Sequence, residues 1–286
     1  MSVLIKKNTY SDSAKSFEKK MLLKKIAETS DLPTPNAHMV RMLKLLKNEN
    51  VEMSKIIHEI NQDQSLVAKI LKMINSGYYG IRNTITSVDQ AVSLLGILKT
   101  KQLVYSASVI DCFDGGDGGE WAHAYSSSVL MSDLMMNDIS AEQNLPMTAL
   151  MHDIGKIVLK KYSPTKYKML KSHVVDDEMT LIEAEQQFLQ TDHAEAGAYL
   201  LRCWGMEESI VVPIENHHNY NMVPAEFALE TALLQFVNWV DCVAHDLKPP
   251  HYPSRDFLNS VGIEELDRNE WVSFQRSVIA EIAKNQ

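Results

Sequence analysis

The sequence predicts an all-α protein. Apolar residues recur at helical spacing along most of the chain, and few segments show the apolar–polar alternation of a half-buried strand. Helix-opening Ser, Asp and Ser-Pro positions, and helix-ending Gly and Pro positions, punctuate that pattern. One glycine-rich break divides it: Asp114 to Gly119 reads DGGDGG, lacks the spacing of a calcium loop ending in a bidentate Glu, and is read as a flexible linker. With 286 residues the chain is long enough for a lobe on each side of that break.

In chain order, residues 1–30 are read as a basic arm followed by a short amphipathic helix, Met21 to Thr29. The N-terminal helical lobe is placed at 31–113. After Pro33 and Pro35, Met39, Met42, Leu43 and Leu46 share one helical face. Ser54 is the expected cap of a helix carrying Ile56, Ile57 and Ile60. Asp63 to Ser65 interrupts, and Leu66, Ile70, Leu71 and Ile74 mark the next helix. Gly77 and Gly80 bracket Tyr78 and Tyr79 in a turn, where aromatic packing is preferred to a partner-binding role. Ser87 and Gln90 resemble a capping box ahead of Val88, Ala91, Val92 and Leu95, and Gly96 permits either a close approach or a break before the helix of 97–111.

The second lobe is placed at 120–248. A helix from Glu120 carries Trp121, His123, Tyr125, Val129 and Leu134, and Met147 to Leu159 follows as an apolar run holding His152 and Asp153. Ser163-Pro164 opens another helix. The stretches 179–190 and 193–204 come next, the second stopped by Gly205 as a helix C-terminal glycine. Ser209 to His218 is apolar up to a terminal His-His pair, and Ala225 to His245 is a long helix ended by Pro249, Pro250 and Pro253. Two short helices over 249–286 complete the chain.

Charge and cysteine use bound the function. Lys plus Arg is 28 against 37 Asp plus Glu, a net −9, which argues against nucleic acid as a main partner. The lysines of the first 25 residues (Lys6, Lys7, Lys15, Lys19, Lys20, Lys24 and Lys25) are read as a solvated terminal segment rather than a binding arm. Cys112, Cys203 and Cys242 form no CxxC and fit a reducing cytoplasm. No secretory signal is expected, and no apolar run is read as a membrane span.

The chemistry centres on Met147 to Leu159. His152 and Asp153 sit inside an apolar run, and burying an imidazole or a carboxylate is costly unless it is paired or metal-bound. A neutral imidazole nitrogen and a carboxylate oxygen suit Zn, Fe, Mn or Mg. Neighbouring residues on a helix point about 100° apart, so both reach one ion only near a helix end, which Gly155 would create. His123, His193, His217, His218 and Asp241 are the further candidates, each in a helix that reads as buried. Inward-facing groups on neighbouring helices are how helical bundles build metal sites. The other reading is a buried polar network satisfied by hydrogen bonds. His38, His58, His173, His245 and His251 match no site role and are read as surface or packing residues.

These residues carry a family resemblance. The order His123, His152-Asp153, Asp241 resembles the ligand pattern of the HD superfamily of phosphohydrolases. Gln62-Asp63, Asn75-Ser76 before the Tyr-Tyr-Gly turn, Ile85-Thr86-Ser87 and Leu94-Leu95-Gly96 strongly resemble the HDOD domain, a bacterial signalling module related to HD-GYP phosphodiesterases. HDIGK, DHAEAGAYLL with Trp204, and His217-His218 match its second half, so the likeness runs from about Leu32 to Ala244.

The resemblance implies an N-terminal helical lobe packed on an HD-like lobe. It also implies a regulatory role with an unidentified protein partner in a signalling pathway, and a site holding Fe, Mn or Zn. By likeness to HD-GYP proteins, His123, His152, Asp153 and Asp241 would hold one metal. His193, His217 and His218 would complete a second, with Asp153 bridging the two. Such a centre, with Asp153 and Lys156 as its catalytic side chains, would act on a nucleotide or other phosphoester. The segment after His218 reads NYNMVPAEF, without the Glu and the Gly-Tyr-Pro signature of cyclic-di-GMP phosphodiesterases.

Overall fold

The computed structural model describes residues 19–22, 24, 41–42, 44–46, 48, 50–75, 79, 81, 83–113, 119–136, 144–175, 179–219, 223–263 and 267–283. Among the described residues the chain is all-helical, with no strand. The basic arm before Lys19, Tyr78, and the glycine-rich break up to Gly118 lie outside them; Gly119 already opens a helix.

The N-terminal lobe is built from α1 (Met53–Asn61), α2 (Gln64–Ile74) and α3 (Val88–Val109), with α1 and α2 packed on α3. Ser54 is not the cap of α1. The helix starts one residue earlier, at Met53, and Glu52 holds the N-cap position without a side-chain cap bond. Asp63 does cap α2, accepting from the Ser65 and Leu66 amides at 2.9 and 3.1 Å. The Asn75 carboxamide then ties the end of α2 to the approach of α3. It donates to the carbonyls of Leu71 and Ile85 at 2.7 and 2.8 Å, and accepts from the Ile85 amide at 2.8 Å.

At α3 the capping box is displaced by one residue. Ser87 accepts from the Gln90 amide at 3.3 Å, but Gln90 reaches back to the amide of Thr86, at 3.0 Å. Gly96 breaks α3, with φ 71° and ψ 179°. No atom lies within 4 Å of the Cβ it lacks, so backbone conformation rather than close approach calls for glycine there.

α3 leads through a 3₁₀ turn (Ile110–Phe113) and packs on α4 (Gly119–Met136) and α5 (Leu145–Met151), joining the N-terminal helices to the rest. α6 (Ile154–Tyr162), α7 (Pro164–Val175), α8 (Leu181–Leu189), α9 (His193–Cys203) and α10 (Glu208–Asn216) follow. Gly205, at φ 71°, ends the α9 segment, and the Met206 amide donates back to the Leu201 carbonyl at 3.0 Å.

α11 (Ala228–Ala244) runs through the centre, touching α4, α5 and α10. With the preceding 3₁₀ turn it makes a 20-residue stretch, Ala225–Ala244, long and apolar enough to cross a membrane. It is a core helix, 72% buried over its apolar window, and it carries Asn238 and Asp241 inward. Phe236 on α11 and Leu130 and Met131 on α4 are fully buried, each contributing about 1.5–3 kcal/mol. After α12 (Arg255–Ser260), the last helix, α13 (Arg268–Ala283), packs back on α11 and α4.

Candidate metal centre

The His-Asp pair sits at a junction between helices. α5 ends at Met151, His152 and Asp153 form a turn, and α6 begins at Ile154. The break therefore precedes Gly155 and does not depend on it. Gly155 lies within α6 and serves close packing instead: a Cβ there would stand 1.9 Å from the His193 carbonyl oxygen and 2.7 Å from the Gly197 amide. α6 and α9 thus approach backbone to backbone, which brings His193, the first residue of α9, against Asp153.

The seven candidate ligands of the sequence fall into a connected array. The ligand atoms of His123, His152 and Asp153 lie within 4.8 Å of one another, and so do those of His193, His217 and His218. Asp153 stands between the two groups. Its Oδ2 is 3.4 Å from His152 Nε2 and 3.6 Å from His123 Nε2, and its Oδ1 is 3.2 Å from His193 Nε2 and 3.8 Å from His217 Nε2. Asp241 belongs to neither group. Its Oδ2 lies 2.6 Å from the far nitrogen of His123, Nδ1.

The outer nitrogens of His123, His152, His193 and His217 are committed. His152 Nδ1 donates to the Ala149 carbonyl at 2.7 Å, and His217 Nδ1 to the Ile214 carbonyl at 2.6 Å. A carbonyl only accepts, so the proton sits on Nδ1 in both rings and Nε2 is left as the lone pair facing inward. His193 Nδ1 and its backbone amide both donate to Glu185 Oε2, at 2.7 and 2.9 Å. This is the outer support that metal-ligating histidines carry. His217 Nε2, facing inward, is buried without a hydrogen-bond partner, an orphaned lone pair of the kind a cation would satisfy.

Electrostatics keep the ligands in binding form. Burial pushes His152 down to about 4 against the pull of Asp153, and burial holds His217 and His218 well below the usual histidine value, so all three rings are neutral. Burial works against the Asp153 anion, but His152 and Lys156 outweigh it and hold the carboxyl well below its ordinary range. His193 behaves differently: burial disfavours its cation, yet the Glu185 carboxylate prevails and raises it to about 9. Its Nε2 then carries a proton toward His218 Nε2, 2.9 Å away, and toward Asp153. Lys156 Nζ is 2.5 Å from Asp153 Oδ2, and its side chain is 21% exposed. Lys156 therefore neutralises Asp153 in the metal-free chain.

Three partners were not anticipated from the sequence. Glu185 is fully buried behind His193. Ser126 and Gln275 meet behind Asp241: Ser126 Oγ lies 2.7 Å from Asp241 Oδ1, and Gln275 Nε2 donates to the same oxygen. His245, read as a packing residue, is also at this edge, with Nε2 3.0 Å from Ser126 Oγ and 3.6 Å from Asp241 Oδ2. A signal for two of them was present. Leu181, Glu185 and Leu189 share one helical stripe, as do Trp271, Gln275, Val278 and Ile282, so each polar residue interrupts an apolar face.

Comparison with known proteins agrees with this architecture. An HDOD domain protein of unknown function from Geobacter sulfurreducens superposes with TM-score 0.80 at 20% identity, over 95% of this chain and 99% of its own. A protein from Shewanella amazonensis SB2B, provisionally named a phosphohydrolase, gives 0.71 at 19% identity over 92% and 97%. One from Marinobacter aquaeolei VT8, provisionally named a signal transduction protein, gives 0.75 at 20% identity over 97% and 67%. These likenesses establish the fold. The chain spans 42% and 21% of two curated relatives, uncharacterised proteins of Treponema pallidum and Bacillus subtilis that are 25% and 31% identical over the aligned parts. The family model of the HDOD domain matches residues 32–220, most of the chain, and the chain belongs to the HDOD family.

Proposed function

We propose that this chain is a regulatory module of bacterial signal transduction whose HD-type centre binds a divalent transition metal, Fe, Mn or Zn, in a dinuclear arrangement. One observation carries the metal reading: His152 and His217 turn protonated Nδ1 atoms outward to carbonyls and leave their Nε2 lone pairs facing the Asp153 carboxylate, with His217 Nε2 buried and without a hydrogen-bond partner. A purely hydrogen-bonded network would donate to that nitrogen. His123, His152 and Asp153 would hold one ion and His193, His217 and His218 the other, with Asp153 between them. The signalling role rests on family membership, on the provisional name of the Marinobacter aquaeolei protein, and on the missing Gly-Tyr-Pro signature after His218.

The test is metal content per chain in protein purified without chelator or histidine tag, beside Asp153→Ala. About two transition-metal ions per chain, lost in the variant, are expected for a paired site. No metal after reconstitution with Fe, Mn and Zn overturns the reading and leaves a hydrogen-bonded network.

A second reading, metal-dependent phosphoester hydrolysis, is favoured by the complete donor set and by Lys156. When bound, a metal pair supplies Lewis-acid polarisation of a phosphoryl oxygen and an activated water. Asp153 would orient the reacting groups, and the Lys156 ammonium beside it would pair with phosphate charge. Turnover of a chromogenic phosphodiester or a nucleotide, abolished by His152→Ala, would make the chain an enzyme. Metal occupancy without turnover leaves the regulatory role.

A further inference from the structure

We infer that Gln275, in the C-terminal helix α13, is a positioning residue for the His123 side of the metal centre, acting through Asp241. The inference rests on the metal-binding reading above and extends the site beyond the residues 32–220 that the family model matches, since Asp241 lies in α11 and Gln275 in α13.

Gln275 is fully buried on the apolar stripe of a helix whose other faces are largely exposed. An apolar side chain of the same length would pack there without the cost of desolvating a carboxamide. The carboxamide has a defined use. Nε2 meets two acceptors, Asp241 Oδ1 and the Ser126 carbonyl oxygen, the second at 3.0 Å. Because both are acceptors, the amide can only present its NH₂ to them, so its orientation follows from chemistry. Ser126 Oγ lies against the same Asp241 oxygen from α4, at 2.7 Å.

Oδ1 is therefore held from two helices, and Oδ2 faces the His123 ring at 2.6 Å, with His245 Nε2 farther off at 3.6 Å. A neutral donor on Oδ1 fixes the carboxylate without cancelling its charge, which remains available to the His123 Nδ1 proton. With Nδ1 held by Asp241, His123 Nε2 faces His152 Nε2 at 3.2 Å and Asp153 Oδ2 at 3.6 Å. The line from α13 to the ligand atom is thus Gln275, Asp241, His123. Such outer partners typically contribute 10- to 100-fold in metal affinity, by about that order.

Gln275→Met keeps the length and removes the donor; Gln275→Glu keeps the shape and places a second carboxyl group against Asp241. Two readouts apply to the full chain. In the metal-free protein, the low-field proton of the His123 Nδ1–H···Asp241 bond, assigned with His123→Ala, should shift or broaden in both variants. In a Zn²⁺ titration against a chromogenic chelator, one binding step should weaken by about 10- to 100-fold while the other stays within error. A merely structural Gln275 would lower the melting temperature and leave both the proton signal and the Zn²⁺ affinities unchanged, which overturns the inference. If Gln275→Met does not fold, Gln275→Glu decides by the same readouts. If the wild-type chain takes up no Zn²⁺, the metal reading fails on its own account, and an unmoved proton signal would then overturn the positioning role separately.

Discussion

His123 and His152 face each other Nε2 to Nε2 at 3.2 Å, while the outer nitrogen of each is bonded away from the pair. A cation within reach of both Nε2 atoms would bind the two rings at once. Metal should therefore stabilise the fold. A ligand at 100 times its Kd adds about 2.7 kcal/mol to a native state that binds it alone. The melting temperature should rise on adding Zn²⁺ or Mn²⁺ and fall with a chelator. In His152→Ala that rise should shrink but not vanish, because His193, His217 and His218 remain. An equal rise in the variant would show that the pair does not bind.

Gly155 and Gly197 set how closely α6 and α9 approach, and they are not equivalent. A Cβ at Gly155 meets backbone atoms at 1.9 and 2.7 Å, whereas one at Gly197 meets its nearest neighbour at 3.1 Å. Backbone cannot move aside as a side-chain tip can. Gly155→Ala should force the helices apart, cost about 1–3 kcal/mol or more, and move His193 away from Asp153. Gly197→Ala should cost less. Urea unfolding of both variants, with metal content read in parallel, checks the order. Gly155→Ala with native stability and full metal would refute it.

Most of the helices are legible in the sequence because each buries a stripe at helical spacing, and the candidate ligands interrupt those stripes with residues too polar to be there for packing. The purpose of Gly155 is not legible: a glycine that ends a helix and one that admits a neighbouring backbone look alike in one dimension, and only the approach of α9 separates them. The same holds for Asp241. Its place in the His, His-Asp, Asp order does not reveal that it stands behind His123, because that depends on Ser126 and Gln275 from two other helices. Gln275 lies 149 residues from the Ser126 carbonyl that it bonds, a pairing created by packing alone.

Glu185 supplies the charge that makes His193 unlike the other histidines. Its Oε2 receives both the ring and the backbone N–H of His193, with no solvent to replace it. Removing one partner of a buried charged pair costs about 3–5 kcal/mol, and Glu185→Ala should fall in that range. Glu185→Gln keeps an acceptor oxygen without the charge and should cost less, while the His193 pKa drops from about 9. NMR titration of the imidazole resonances measures that drop. A His193 pKa unchanged in Glu185→Gln would place the source of its shift elsewhere.

The histidines also predict how stability of the metal-free chain varies with pH. His152 is lowered from 6.5 to about 4, so unfolding takes up a proton between those values. Its contribution is complete above 6.5 and is lost as pH falls toward 4, and His217 and His218, lowered in the same direction, steepen that loss. His193 has the opposite sign. Raised from 6.5 to about 9, it contributes fully below 6.5 and loses that contribution as pH rises through 9. These groups together place the stability maximum of the metal-free protein between the two limbs, with the acid limb the steeper because three rings act on it. Urea unfolding from pH 4 to 9 in chelator gives the profile. His193→Gln should flatten the alkaline limb and spare the acid one; an alkaline limb that persists in that variant would show that another group sets it.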